Sequence, residues 1–378
     1  MQVTFDDFTR TGPGTLAGRY LRTFWSPVYR SQDLLPGDVV PVKIMGEKFS
    51  LYRGEDAAAH LLAATCAHRG APLYVGHVEG NSLRCMYHGW KYDSSGQCVE
   101  QPREEPSLCS GVRVRSYPTR EYLGLIFAYL GEGEPPPLRR FPDMEKPGVL
   151  EACDPEFWPC NYFNRLDNAC DLAHVTFTHR EAISRAGRPD RMGEGEIKVE
   201  ETEYGIKCTC ENPKQITRFH MPNINLVMAN VRVEGSMEDA ATLTVDRLSW
   251  RVPVDDENTV SFSVDLMHVF GEEAARYKER RKQTLELGRS VSPTAMGEAI
   301  LAGRIKERDL DKSLSTATLF SVEDYLMQVG QGRVDRFKDR LGRIDLGVIL
   351  MRKIWERELL AFAEGRPLKQ WKTAGVRN

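Results

Sequence analysis

Cys66-Ala67-His68 and, after sixteen intervening residues, Cys85-Met86-Tyr87-His88 constrain this chain more than any other stretch. Two short segments each present one thiol and one imidazole, and turn-forming residues follow both: Arg69-Gly70-Ala71-Pro72 after the first, Gly89-Trp90 after the second. Such a set can hold a zinc ion, or a [2Fe-2S] cluster with both histidines on one iron. A zinc finger usually pairs C-x-x-C with a later H-x3-5-H on a helix, whereas here each loop mixes one Cys with one His.

A second crowded stretch runs from Asp167 to His179, with Asn168, Asp171 and His174 between them. Its neighbours are mostly small or apolar, and burying so many polar groups is costly unless each is paired or metal-bound. On an ideal helix Asp171 and His174 lie about 60° apart, but His174 and His179 lie roughly 140° apart. Two imidazoles gripping one ion therefore require the helix to end or distort between them, with the β-branched and aromatic run Val175-Thr176-Phe177-Thr178 as the expected place. Taken alone, the stretch reads equally as a helical turn with two core histidines.

Composition bounds the rest. The 378 residues suggest two domains, and 41% hydrophobic with 28% charged residues describe an ordinary globular chain. A net charge of -3 offers no bulk attraction to nucleic acid or anionic membrane. Neither a signal-peptide pattern nor an 18-residue apolar run is visible, so a cytoplasmic protein is expected. Nine cysteines, an odd number, read as ligands or buried thiols rather than a disulfide framework.

Alternating patterns predict a hairpin from Val39–Ile44 and Phe49–Tyr52 around Gly46-Glu47, then strands over His60–Thr65, Arg113–Thr119 and Leu123–Leu130. Gly131-Glu132-Gly133-Glu134-Pro135-Pro136-Pro137 reads as a stiff linker. Long alternating runs between Ile197 and Val269 predict an antiparallel sheet, and a charged helix is expected over 272–287. Leu346, Ile349, Leu350 and Ile354 form an apolar stripe on a final helix, read as core packing beside polar Arg352, Lys353 and Glu356.

The two Cys/His loops resemble those of Rieske [2Fe-2S] proteins over residues 25–131. Ala71 and Tyr87 stand where respiratory Rieske proteins carry extra cysteines, and Trp90 stands in place of their cluster-facing serine. The resemblance implies fewer hydrogen bonds to the sulfurs and a potential toward the low end of the Rieske range. With the downstream pattern Asn164-Arg165-x-Asp167-Asn168-x-x-Asp171-x-x-His174-x4-His179, the chain resembles the oxygenase component of Rieske non-haem iron oxygenases. Gly12-Pro13-Gly14-Thr15, the single-chain size and Asp345-Leu346-Gly347-Val348-Ile349 are similar to the phthalate dioxygenase and aromatic O-demethylase branch.

That resemblance implies an α+β protein: an N-terminal segment over 1–24 packing on the catalytic domain, an all-β Rieske domain over 25–134, and a helix-grip catalytic domain over 135–378. It implies Cys66, His68, Cys85 and His88 as cluster ligands, and His174, His179 and Asp324 as ligands of a mononuclear Fe(II). Glu323 is the competing carboxylate, and Ser321-x-x-Asp324 also reads close to a capping box. Asp171 is implied as the electron bridge from His88 of a neighbouring subunit to His174, with Asn168 in support and Asp167 unassigned. A homotrimer, or a dimer of trimers, follows.

No nicotinamide or flavin fingerprint and no second iron-sulfur motif is evident, so a separate reductase is expected. The function implied is a terminal oxygenase that uses O2 to hydroxylate or O-demethylate an aromatic, carboxylated compound. Phe219, Met221, Asn223 and Asn225 are candidate pocket residues; Arg218 and Arg247 are candidates to pair a carboxylate, and His220 reads as a hydrogen-bonding residue. The alternatives are an oxygenase for a non-aromatic or N-methyl substrate, and a Rieske electron carrier with no catalytic iron.

Overall fold

The computed structural model describes residues 3–187, 192–232, 242–288, 292–312, 314–332 and 338–373, which form two compact units. One comprises Arg10–Arg139 with Val252–Asp256; the other comprises Met1–Thr9, Arg140–Arg251 and Glu257–Asn378.

The first unit is built on three small antiparallel sheets. Val39–Ile44 and Glu47–Arg53 pair through a two-residue turn at Met45-Gly46, with φ of 50° and 75°. Both central residues of a hairpin turn of this hand need positive φ, which glycine accepts freely and Met45 adopts under constraint. The turn therefore sits one residue earlier than Gly46-Glu47. Ala59–Ala63 and Ser116–Tyr117 extend this sheet, while Trp25–Arg30, Leu125–Tyr129 and Thr119–Tyr122 form the second. The third, His77–Glu79, Ser82–Arg84, Lys91–Tyr92 and Cys98–Glu100, carries the second Cys/His loop between its two middle strands.

Residues 10–24 pack with this unit, not with the catalytic part as the 1–24 boundary supposed. The reason is the buried Arg22 guanidinium, which donates to Thr11 O and Gly18 O and, at 2.9 Å, to Met45 O in the hairpin turn. Only residues up to Thr9 belong to the other unit, where Phe8 O accepts from Tyr162 Oη and Thr9 O accepts from Asn161 Nδ2. The glycine- and proline-rich run 131–137 is irregular, and the boundary falls just after it, between Arg139 and Arg140.

The second unit is an eight-stranded sheet in the order Val149–Ala152, Thr259–Met267, Thr242–Pro253, Ile224–Arg232, Lys214–His220, Gly205–Glu211 and Ile197–Glu201, with Glu156–Trp158 also paired to Thr259–Met267. Side chains alternate between its faces. Cys208 and Thr217, cross-strand partners, meet the helix Tyr162–Cys170 on one face through Cys170 O and Ala169 O. The C-terminal helix Leu346–Ala363 crosses nearby, burying Val348, Met351, Ile354, Trp355 and Leu359. The buried stripe is thus rotated from the expected one, and Leu346 is exposed. No helix among the described residues is long and apolar enough to cross a membrane.

Gly347 permits the close crossing: a Cβ there would lie 2.0 Å from Cys170 O and 3.0 Å from Cys208 Sγ. Gly347→Ala is expected to push the Tyr162–Cys170 helix off the sheet and cost about 1 to 3 kcal/mol, read as a lowered melting temperature. An unchanged melt would show that the helices can separate freely.

Candidate metal centres

The two Cys/His loops share one backbone design. In the first, Cys66 N donates to Ala71 O and Gly70 N to Cys66 O; in the second, Cys85 N donates to Trp90 O and Gly89 N to Cys85 O. Each closes through a glycine four residues after its cysteine, Gly70 at φ 73° and Gly89 at φ 76°, a conformation that disfavours side chains. The loops bring the His68 and His88 rings to 4.6 Å, and the Cys66 and Cys85 thiols are buried neighbours. His68 stacks on Trp90 at 4.4 Å, yet its Nδ1 is buried without a hydrogen-bond partner.

Burial pushes the Cys66 thiol up, against the lowering pull of Tyr92 Oη, which lies 3.1 Å from Cys66 Sγ. A bound cation reverses that balance, because the thiolate is the ligand form. An orphaned buried imidazole nitrogen beside two buried thiols fits a metal cluster better than a closed polar network. Tyr92 also accepts from Ala67 N at 3.2 Å, so one phenol holds the first loop from the strand that follows the second. The motif reading missed this residue, since Lys91-Tyr92 looks like any strand start.

In the second unit the helix Tyr162–Cys170 stops at Asp171, whose backbone is extended at φ -96° and ψ 116°. A new helical turn, Ala173–Thr178, starts under the Asp171 carboxylate, whose Oδ1 accepts from Ala173 N at 2.8 Å and His174 N at 3.3 Å. That is N-cap chemistry. The chain bends again at His179, φ -93° and ψ 23°, before Arg180–Arg185. Val175–Thr178 therefore stays helical, and the distortion falls on His179 itself.

These bends turn the His174 and His179 rings to a centroid separation of 5.4 Å. Asp324, on the helix Thr316–Gly330, reaches both: its Oδ1 lies 3.9 Å from His174 Nε2 and 3.5 Å from His179 Nε2. One candidate ligand atom from each of the three residues lies within 4.8 Å of the others, a compact set able to hold one metal ion. Glu323, the competing carboxylate, is committed elsewhere. It is buried, with Oε2 2.9 Å from His179 Nδ1 and Oε1 accepting from Ala182 N at 3.1 Å. Asn168 Nδ2 touches both His174 Nε2 and Asp324 Oδ1 at 3.3 Å, and Gln328 Nε2 donates to Asp324 Oδ1 at 3.0 Å.

Asp171 Oδ2 lies 3.7 Å from His174 Nδ1, a buried nitrogen with no hydrogen-bond partner. Burial works against charge on both residues. Their mutual interaction, joined at His174 by the Asp324 carboxylate, outweighs it, holding the Asp171 carboxyl below its ordinary value and raising the His174 imidazole. Asp167 points elsewhere, to Arg352 at 2.7 Å, and ties this helix to the C-terminal one.

The pocket candidates separate. Phe219 and Asn225 are cross-strand partners on the face of Thr217, which donates to Asn225 Oδ1 at 2.8 Å. Met221 and Asn223 fall in the link between those strands, and Asn223 Nδ2 is spent on Arg251 O. His220 packs between the rings of Tyr204 and Phe141, and the metal-like set among the described residues does not include it.

The Rieske [2Fe-2S] domain profile matches residues 24–118, and the vanillate O-demethylase oxygenase C-terminal domain profile matches 158–270. The 5,5'-dehydrodivanillate O-demethylase oxygenase subunit of a Sphingobium species is 28% identical over 375 residues, covering 96% of this chain and 81% of that protein. The phthalate 4,5-dioxygenase oxygenase subunit of Pseudomonas putida is 27% identical, covering 92% and 83%. Among solved structures, the terminal oxygenase of carbazole 1,9a-dioxygenase from Nocardioides aromaticivorans shares the fold with a TM-score of 0.67 at 17% identity, covering 97% of this chain and 98% of that one.

Fold and family matches together define an iron-dependent enzyme with a Rieske domain preceding, in sequence, an antiparallel catalytic sheet. The chain belongs to the Rieske oxygenases, as an oxygenase subunit of the phthalate dioxygenase and vanillate O-demethylase type, whose cofactors are a [2Fe-2S] cluster and a mononuclear iron.

Glu323→Gln tests the support of the histidine. The amide can still accept from His179 Nδ1, but its NH2 then opposes Ala182 N–H. Fe(II) titration of metal-depleted protein is expected to show roughly 10- to 100-fold weaker binding for this variant; equal affinity would remove Glu323 from the metal centre.

Proposed function

We propose that Cys66, His68, Cys85 and His88 hold the [2Fe-2S] cluster, that His174, His179 and Asp324 hold Fe(II), and that the assembly is the terminal oxygenase of a multicomponent system acting on an aromatic compound. The observation that carries this reading is the convergence of two imidazoles and one carboxylate while Glu323 braces His179 from behind. A 2-His-1-carboxylate set leaves coordination positions open, the arrangement of non-haem iron oxygenases. When bound, the two groups supply one-electron transfer and O2 activation.

The chain's own residues supply placement. Glu323 fixes the His179 ring with Nε2 toward Asp324, and Asn168 and Gln328 hold the Asp324 carboxylate from two sides. Tyr92 and Trp90 hold the cluster loops. Asp171 is the bridge to His174, and its other partner is His88 of a neighbouring subunit in a ring, a trimer or a dimer of trimers. The exposure of His88 beside Met86 and Tyr87, and of the Asp171 carboxylate at 26%, supports contact across subunits. Electrons come from a separate reductase. The aromatic substrate follows the activities of the related dehydrodivanillate O-demethylase and phthalate dioxygenase.

Metal analysis separates this reading from an electron carrier: the loaded protein is expected to hold one iron beyond the two of the cluster, and His179→Ala to lose only that one. Asp171→Ala is expected to keep the cluster's visible spectrum while reductase-coupled O2 uptake falls to background. Full turnover in that variant would refute the bridge.

A further inference from the structure

The helix-side face of the eight-stranded sheet carries arginines in unequal states. Arg247 is committed, its Nε and Nη2 each donating at 2.7 Å to the Asp265 carboxylate. Arg165, on the helix above, is committed as well. It donates to Gln328 Oε1 at 3.1 Å and Ser261 Oγ at 3.2 Å, lies 3.6 Å from Glu156, and sits 3.5 Å from the centre of the Trp158 ring. Arg218 belongs to the opposite face, since it alternates with Thr217.

Arg251 differs from all three. Its backbone is satisfied by Asn223 on both sides, N–H to Asn223 O and O from Asn223 Nδ2. Its guanidinium Nε is shielded from water and has no hydrogen-bond partner. Among the described residues no carboxylate forms an ion pair with it.

Register places it beside the metal-like set. The Arg247–Asp265 pair and the contact of Ser249 Oγ with Ser263 Oγ at 2.8 Å align the strands Thr242–Pro253 and Thr259–Met267. Two residues further along, antiparallel alternation sets Arg251 opposite Ser261, the acceptor of Arg165. On the other side of Ser261 stands Glu156. Two guanidiniums thus share one patch with Glu156, and the Asp324 carboxylate of the metal-like set also acts on Arg251. Gln328 links that patch to the metal-like set, accepting from Arg165 and donating to Asp324. Burial, with Arg165 adding to it, presses the Arg251 guanidinium down to about 9. A half-buried cation whose shielded Nε lacks a partner is costly, and an entering anion offsets that cost.

We propose that Arg251 grips an anionic group of the substrate, a carboxylate or comparable oxyanion, and so fixes which part of an aromatic acid faces His174, His179 and Asp324. This rests on the oxygenase reading above and adds to it a residue and a substrate charge. A guanidinium fork matches two carboxylate oxygens, whereas a neutral amide offers one acceptor and a misplaced donor.

The test compares 4-methoxybenzoate with 4-methoxybenzamide, of nearly equal shape, by calorimetric titration of the fully loaded protein. Wild type is expected to favour the acid by about tenfold or more. Arg251→Gln is expected to bind the acid no better than the amide, the acid losing much more affinity than the amide, and Arg251→Lys to keep part of the preference. Melting curves control for folding; if Arg251→Gln fails to fold, loss of at least half of the preference in Arg251→Lys supports the proposal, and full retention overturns it. A wild-type protein without preference, weak binding of both probes included, or an Arg251→Gln protein that keeps it, also overturns it. The oxygenase reading fails separately: acid preference through Arg251 with no reductase-coupled oxidation of the acid leaves the anion site standing without it. Turnover of acid and amide at equal kcat/KM leaves the oxygenase standing without the anion site.

Discussion

Two imidazoles five residues apart must face one point, although a regular helix turns them away from each other. The second unit is arranged to meet that demand. Asp171 interrupts one helix and caps the next turn with its own carboxylate, and the bend at His179 completes the rotation. Asn168, on the preceding helix, braces the result locally, and the other supports come from a distant helix: Glu323 behind His179, Asp324 in front, and Gln328 one turn further along. A side chain that shapes backbone and also touches His174 cannot be exchanged for one purpose alone.

The first unit solves a parallel problem with repetition. Two loops of different sequence close through the same pair of backbone hydrogen bonds and the same left-handed glycine, so each presents its cysteine at the same point of the turn, with the histidine two residues on in the first loop and three in the second. The loop chemistry is therefore local, set within six residues. The candidate iron-binding set is assembled over long sequence distances and depends on helix packing, which is why Gly347, itself no candidate ligand, governs how closely the Cys170 end of that helix can sit.

What could be read from the chain follows the same division. The Cys/His loops, the paired histidines and the antiparallel sheet stood out because their signals are short-range: spacing, turn residues and alternation. Asp324 came only through family resemblance, since neighbouring carboxylates on a helix are separated by direction, and direction is set by what His179 needs. The 1–24 boundary differs from the observed unit because Arg22 is held by backbone carbonyls of residues 11, 18 and 45, which leave no mark in a side-chain pattern, and by the Glu47 carboxylate 25 residues away. Arg251 and Tyr92 escaped notice for a related reason. The place of Arg251 depends on cross-strand register, that of Tyr92 on the meeting of two loops.

Tyr92 has a further consequence. It stands on the strand leaving the second loop, yet its hydroxyl meets Cys66 Sγ and Ala67 N in the first, while Arg84, on the strand entering the second loop, holds Gly89 O. Neither half of the centre can shift without straining the other. A [2Fe-2S] cluster held by these loops would sit in a frame braced from both sides, and that bracing would limit how far its ligands move when its charge changes.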